Sequence, residues 1–492
     1  MNLTMPEKVG ISSQNVQKFI EILEKNNLAT HDVILARGND IFFEHYWAPF
    51  HKDFQHRMYS VSKSFVSLAI GFLEQDGLIH LDDSIEKYFP REVALQSDEW
   101  VRKQTIRHML MMSTARPGRK WLREKTDDRV RQYFEDCTLP ARPSGTLFSY
   151  DSTATFVLGA LVERLTGMEL MDYLRQKLFC KIGVSDEVYC LKCPGGHSWS
   201  DSAVMCTARD LLLTARFVLN GGSWNGEQIL NADYVRKATT KQIDNNYSGV
   251  DSFDAQGYGY LFWMTYRNSF FFSGMGAQFA ACDPDKDLIL IYNADNQGKE
   301  SGNAIIFKAF FDLIVEPVCD SALPANEMAE KSLHDYVASL KLLTVKGDKS
   351  SSLLEKINGA TYTMTENPMG ISQIQLRFDG DTGYFSYTNE QGDKEIVFGL
   401  VHNEFGLFPQ EGYSDDVGNC YAPGNYYKCA ASAAWVDENK LRIYVQIIDR
   451  YFANLCITLW FREGIVFMHM LKNAELFMEE YTGYATGERS NG

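Results

Sequence analysis

The sequence contains no run of about 18 or more apolar residues, so no segment is expected to cross a membrane as a helix. Its opening stretch, Met1 to Gly10, is polar, contains Pro6 and lacks an apolar centre, so no secretory signal is expected there. Basic residues are the minority. Against 64 Asp and Glu there are 48 Lys and Arg, and the net charge of −16 excludes nucleic acid and an anionic membrane surface as expected partners. Nor do the 10 cysteines make a disulfide framework. They are scattered, and Cys180, Cys206, Cys282 and Cys456 sit in apolar runs, the pattern of reduced core thiols in a cytoplasmic protein. Cys190 and Cys193 form a lone C-x-x-C with His197 nearby, but no second pair completes a zinc site, so no metal is expected. The G-x-S-x-G elbow, the H-E-x-x-H zinc helix and the phosphate-binding P-loop are all missing, as are tandem repeats and low-complexity runs.

What is present is enough for two packed cores. The 492 residues exceed the usual size of one domain, and 45% are hydrophobic and 13% aromatic. Residues 31 to 46 read as a β-hairpin turned at Gly38-Asn39-Asp40. Helical patterns dominate from Ser60 to about Leu219, including Thr153 to Leu165 before Gly167 and Thr207 to Leu219 before Gly221. Strands are expected at Gly257 to Met264, Ser269 to Cys282 and Leu288 to Asn293, then a helix from about Asn303 to Ile314. This order describes an α/β (α+β) layer structure, an antiparallel sheet flanked by helices. Residues 319–352 read as a linker containing an amphipathic helix. Short strands then recur over 353–486 (Ile374 to Phe378, Gly383 to Tyr387, Glu395 to Phe398, Leu441 to Ile447, Cys456 to Phe461), which predicts an all-β barrel or sandwich of roughly eight strands. The tail, 487–492, is expected to be disordered.

The chemistry is concentrated at Ser60-Val61-Ser62-Lys63. Three residues apart at the start of a helix, Ser60 and Lys63 share one face, where a lysine can act as base to a serine nucleophile if burial removes its water. Phe65, Ala69, Phe72 and Leu73 follow at helical spacing, and Gly77 is placed to end the helix. By itself the spacing equally describes a helix cap and a snorkelling lysine. A second copy, Ser84-Ile85-Glu86-Lys87, follows Asp82 and Asp83 and reads as a solvated turn.

The surrounding motifs supply the distinction. Arg57-Met58-Tyr59-Ser60-Val61-Ser62-Lys63-Ser64-Phe65, Asp76-Gly77-Leu78-Ile79-His80-Leu81-Asp82-Asp83, Thr105 to Ser113, Pro143-Ser144-Gly145-Thr146-Leu147-Phe148-Ser149-Tyr150 and Thr207-Ala208-Arg209-Asp210-Leu211 occur in order. Residues 1–318 thereby resemble the serine hydrolases related to class C β-lactamases and penicillin-recognising enzymes, nearest their esterase and 6-aminohexanoate-dimer hydrolase branches. The resemblance implies a β-lactamase/transpeptidase-like fold with an all-helical insertion, Ser60 as nucleophile, Lys63 as its base and Tyr150 as the acid that protonates the leaving group. It implies no cofactor.

Two departures matter. Tyr150-Asp151 is followed by Ser152 where β-lactamases of this type carry asparagine, and the segment Phe270 to Gln278 supplies no lysine for a Lys-Thr-Gly motif. That lysine pairs with a substrate carboxylate, so its loss weakens a β-lactam or D-alanyl peptide reading. Ser273-Gly274-Met275-Gly276-Ala277-Gln278 instead resembles the G-x-G-x-Q of the esterase and amidase branches. Its glycines either bring an N–H, that of Met275 or next Gly276, to an oxyanion hole with Ser60, or merely bend the strand. Ser152 either orients Tyr150 or meets substrate, or caps the following helix. Trp263 lines the acyl pocket or packs in its strand. Cys206 reads as core, and His108 as a packing or capping residue.

The expectation is a serine hydrolase that cleaves a small ester or amide through an acyl-enzyme. β-Lactamase or D-aminopeptidase activity is the alternative within the family. A non-catalytic ligand-binding or scaffolding protein is the alternative outside it, kept alive by the C-terminal domain, which offers a surface for a second subunit.

Overall fold

The computed structural model describes residues 1–94, 98–115, 128–135, 142–418, 420–475 and 477–490. Much of the helical insertion expected to shape the pocket, between 115 and 142, lies outside these. The chain forms two compact units, Met1–Lys341 with Asp415–Asn419, and Leu342–Ser414 with Cys420–Gly492.

In the first unit, α1 (Ser13–Lys25) aligns Val16, Phe19, Ile20 and Leu23 along one buried stripe, and Ser12 caps its start by accepting from the Asn15 N–H. That stripe packs on a sheet. The hairpin of β1 (Thr30–Arg37) and β2 (Asp40–Tyr46) turns where expected, and β3 (Phe270–Gly274), β4 (Gln278–Asp283) and β5 (Leu288–Ala294) join it in the order β2-β1-β5-β4-β3. These pairings are antiparallel, but Asn2–Leu3 adds a parallel edge beside β2, so the sheet is mixed. Every residue of β5 is buried, as befits a central strand covered on both faces. The strand expected over 257–264 shrinks to Trp263–Met264 beside β3. Gly257 at φ +123° and Leu261 at φ +62° break the extended path before it.

The helices fall close to expectation. They are α2 (Ser62–Gln75), α3 (Ser152–Thr166) with Gly167 at its left-handed end, α4 (Ala208–Leu219), α5 (Gly302–Phe310) and α6 (Glu327–Ala338). The helix expected within the linker is α6, and it belongs to the first unit, where its Leu333 enters the core formed by α1, α5 and the sheet. Cys206 and Cys282 are buried free thiols, but Cys180 is exposed and Cys456 only partly buried, because apolar neighbours in sequence do not fix which way one side chain faces.

The second unit is a barrel. Its strands are β6 (Thr361–Met364), β7 (Gln373–Asp379), β8 (Thr382–Asn389), β9 (Gly392–Leu400), β10 (Glu404–Tyr413), β11 (Tyr421–Asp437), β12 (Lys440–Ile447), β13 (Ala453–Arg462), β14 (Ile465–Asn473) and β15 (Gly483–Arg489). They run in the order β9-β8-β7-β6-β15-β14-β13-β12-β11, and Gly399 and Leu400 pair with Ser432 and Ala433 to close a nine-stranded ring that leaves β10 alongside β11. Along β7 and β8 burial alternates residue by residue, the period of a strand with one face inward. The tail departs from the expected disorder. Gly487 to Arg489 complete β15, held between β6 and β14, and the Ser490 N–H donates to the Thr361 carbonyl. Residues 491 and 492 lie outside the described residues.

Candidate active site

Ser60 lies in a 3-10 turn, Tyr59–Val61, that runs directly into α2. The turn is entered through Tyr59 at φ +46°, a left-handed conformation that costs a bulky residue on the order of 1–3 kcal/mol. Packing holds it there. The buried Arg57 guanidinium lies 4.4 Å from the Tyr59 ring centre and 4.6 Å from that of Trp199, and its Nε donates to the Ser202 carbonyl at 3.2 Å. Strain retained at one residue fixes the direction in which the next side chain leaves the backbone.

Lys63, one turn on, is 2% exposed. Its Nζ donates to Ser60 Oγ at 2.9 Å and to the Asp201 carbonyl at 2.6 Å, and it stands 5.1 Å from the centre of the Tyr150 ring. Tyr150 precedes α3. The next residue, Asp151, caps that helix by accepting from the Ala154 N–H at 3.1 Å, and also accepts from the hydroxyls of Thr153 and Thr114. Burial pushes the Asp151 carboxyl above its ordinary range against the opposing pull of these hydrogen bonds. The cap is therefore Asp151 and not Ser152, which opens the first turn of α3. Trp263 stacks on Tyr150 with ring centres 5.6 Å apart, and Phe148 and Tyr258 meet Trp263 at 5.9 and 5.0 Å.

The β3–β4 turn forms the other wall. A Cβ on Gly274 would lie 2.3 Å from the Met58 carbonyl oxygen, so only glycine lets this strand end approach the backbone leading to Ser60. Gly276 (φ +80°) and Ala277 (φ +75°) then reverse the chain. Met275 sits at the turn, 37% exposed, and among the described residues no hydrogen bond of the chain uses its N–H. Gln278 is fully buried, and its Nε2 donates to the Met275 carbonyl at 3.0 Å and the Ala294 carbonyl at 2.7 Å. It clamps the turn to the end of β5.

A hydroxyl, a buried amine and a phenol thus converge beside a backbone turn, the groups that acyl transfer requires. A family model described as Beta-lactamase matches residues 16–308. The chain belongs to the β-lactamase family. The 6-aminohexanoate-dimer hydrolase of Paenarthrobacter ureafaciens is 24% identical over 280 residues, covering 53% of this chain and 71% of that protein. Among solved structures, the octameric penicillin-binding protein homologue from Pyrococcus abyssi shares 15% identity with a TM-score of 0.50, covering 96% of this chain and 99% of that one. EstCE1, a hydrolase with promiscuous acyltransferase activity, shares 15% identity with a TM-score of 0.51, covering 61% and 98%. These likenesses fix the fold. The chain is a hydrolase of the serine β-lactamase type.

Within this family frame, Ser60, Lys63, Tyr150 and Trp263 come together, and the turn bearing Met275 and Gly276 borders the Ser60 segment. Sequence reasoning missed the Asp201 carbonyl, which no side chain could signal, and the clamp role of Gln278, although the G-x-G-x-Q pattern contained it. It also missed the strain at Tyr59. The C-x-x-C carries other contacts. Cys193 Sγ accepts from Arg129 at 2.9 Å, and His197 pairs with Glu163. His108 closes a capping box with Thr105.

Proposed function

We propose that Ser60 is the nucleophile of a hydrolase that cleaves a small ester or amide. The observation carrying this is the buried Lys63 Nζ held 2.9 Å from Ser60 Oγ by its second contact to the Asp201 carbonyl. Lys63 takes the Ser60 proton while Oγ attacks the acyl carbon. The N–H groups of Ser60 and Met275 receive the developing oxyanion, the first because N–H groups at a helix start lack an intrahelical partner. Tyr150 passes a proton to the departing alkoxide or amine as the carbon–heteroatom bond breaks. Water then attacks the acyl-Ser60 ester, giving its proton back through the same residues and releasing the acid. Trp263 and Ser152 border the acyl and leaving groups.

Esters and simple amides are favoured over β-lactams because the strand facing Ser60 ends in Ser273-Gly274 and turns at Met275, a segment with no cation to hold a substrate carboxylate. The test is p-nitrophenyl acetate hydrolysis with stopped-flow detection. A burst of one p-nitrophenol per chain followed by turnover is expected, with both lost in Ser60→Ala. Turnover retained by a folded Ser60→Ala chain would refute the assignment.

A further inference from the structure

The second unit carries an open cleft of about 530 Å³, within the range of small-molecule sites. It opens where the β10–β11 pairing is irregular. Between Leu407↔Lys428 and Glu411↔Tyr426, and again before Tyr413↔Tyr421, the register shifts, and such irregularities re-aim side chains away from the ladder. Two opposite charges face this space without meeting. Lys394, half-buried on β9, donates to Gln391 Oε1 at 2.6 Å and to the Tyr481 hydroxyl at 3.4 Å. Glu480, half-buried before β15, accepts from the side-chain amides of Gln391 and Gln410. Among the described residues neither forms a direct ion pair, although the Glu480 carboxylate acts on the Lys394 ammonium across the gap. The Gln391 amide stands between them, its oxygen on the lysine and its nitrogen on the glutamate.

Withdrawing opposite charges from water without direct contact between them costs free energy that a complementary ligand returns. Burial correspondingly lowers the Lys394 ammonium from its ordinary range. Glu411 adds a second carboxylate to the lining, and Tyr421 and Tyr426 offer exposed rings (52% and 42%) beside it. We propose that this cleft binds a small zwitterion, an ω-amino acid whose carboxylate meets Lys394, whose ammonium meets Glu480 and whose methylenes lie against the two tyrosine rings. The lining residues all belong to the second unit and Ser60 to the first, so the proposal stands or falls apart from the hydrolase assignment.

The test is isothermal titration of the full chain with 6-aminohexanoate, using hexanoate and hexylamine as single-charge probes. One saturable site is expected, weakened roughly tenfold or more by Lys394→Met and by Glu480→Gln, the change expected when a charged hydrogen-bond partner is removed. The single-charge probes should be weaker by a similar factor. Chain whose Ser60 has been blocked by a fluorophosphonate should bind unchanged. Absence of saturable binding would overturn the proposal, as would binding indifferent to both variants when their melting curves match wild type. Loss of binding on blocking Ser60 would move the ligand to the hydrolase site, and hexylamine binding as tightly as the zwitterion would remove the carboxylate half.

Discussion

The chain spells serine, two residues, lysine at two places, and the two behave differently. At Ser60 the tetrad opens the helix α2, Lys63 is 2% exposed, and its Nζ is fixed between a hydroxyl and a carbonyl. At Ser84 it opens a single 3-10 turn, Ile85–Lys87, where the serine caps by accepting from the Glu86 N–H at 3.2 Å. Lys87, its side chain 55% exposed, pairs with Asp83 at 2.9 Å. Spacing sets which side chains share a face, but packing decides whether the lysine is fixed against the serine or pairs with a carboxylate in water.

That contrast can be broken most sharply at the serines. Ser60→Ala should lower kcat for an activated ester by several orders of magnitude, the scale seen when a nucleophile is removed. Ser84→Ala should leave kcat and KM within twofold and cost about 1 kcal/mol of stability for a lost cap, read by urea denaturation. The lysines come next. Lys63→Met should lower kcat roughly 10²- to 10⁴-fold with KM little changed, as expected of a lost general base, whereas Lys87→Met should leave both constants alone. A third variant asks whether the Ser60 environment extends across the β3–β4 turn. Gln278→Ala frees the Met275 carbonyl from its clamp, and kcat should fall roughly ten- to a hundredfold, less than loss of an oxyanion donor outright, again with KM nearly constant.

The smallest effect sharpens the solvated copy. Burial would raise the Asp83 carboxyl, but the Tyr88 hydroxyl, the Lys87 ammonium and the His80 N–H outweigh it and hold it at about 2. A carboxyl depressed in the folded state contributes stability that is present above its unfolded value near 4 and lost as pH falls toward 2. The melting temperature of Lys87→Met should therefore lie below wild type above pH 4 and converge on it as pH falls through 2, with no change in activity. Equal melting temperatures across that range would show the pair to be energetically silent.

The sequence distinguished the two tetrads because Phe65, Ala69, Phe72 and Leu73 follow the first at helical spacing, whereas Asp82 and Asp83 precede the second. Gly167 and Gly221 likewise marked where α3 and α4 end. Less legible was whatever rests on backbone or on long-range pairing. The Asp201 carbonyl that holds Lys63 leaves no trace in residue type, nor does the left-handed Tyr59. In the barrel, β7, β8, β9, β12 and β13 were plain from alternating apolar residues. β11 was hidden, since Tyr421 to Asp437 is rich in alanine, a poor strand former, and Ala430 and Ala431 are held extended only by β10 on one side and β12 on the other. The order of the tail is not visible in its own residues, because its partners, β6 and β14, lie elsewhere in the chain.

The most direct test of the central claim is covalent labelling of the intact protein by a fluorophosphonate, read by intact mass and localised by tandem mass spectrometry. The account predicts one adduct per chain, on Ser60, absent from Ser60→Ala and unaffected by Ser84→Ala. An unlabelled but folded wild type, or an adduct on any other serine, would contradict it.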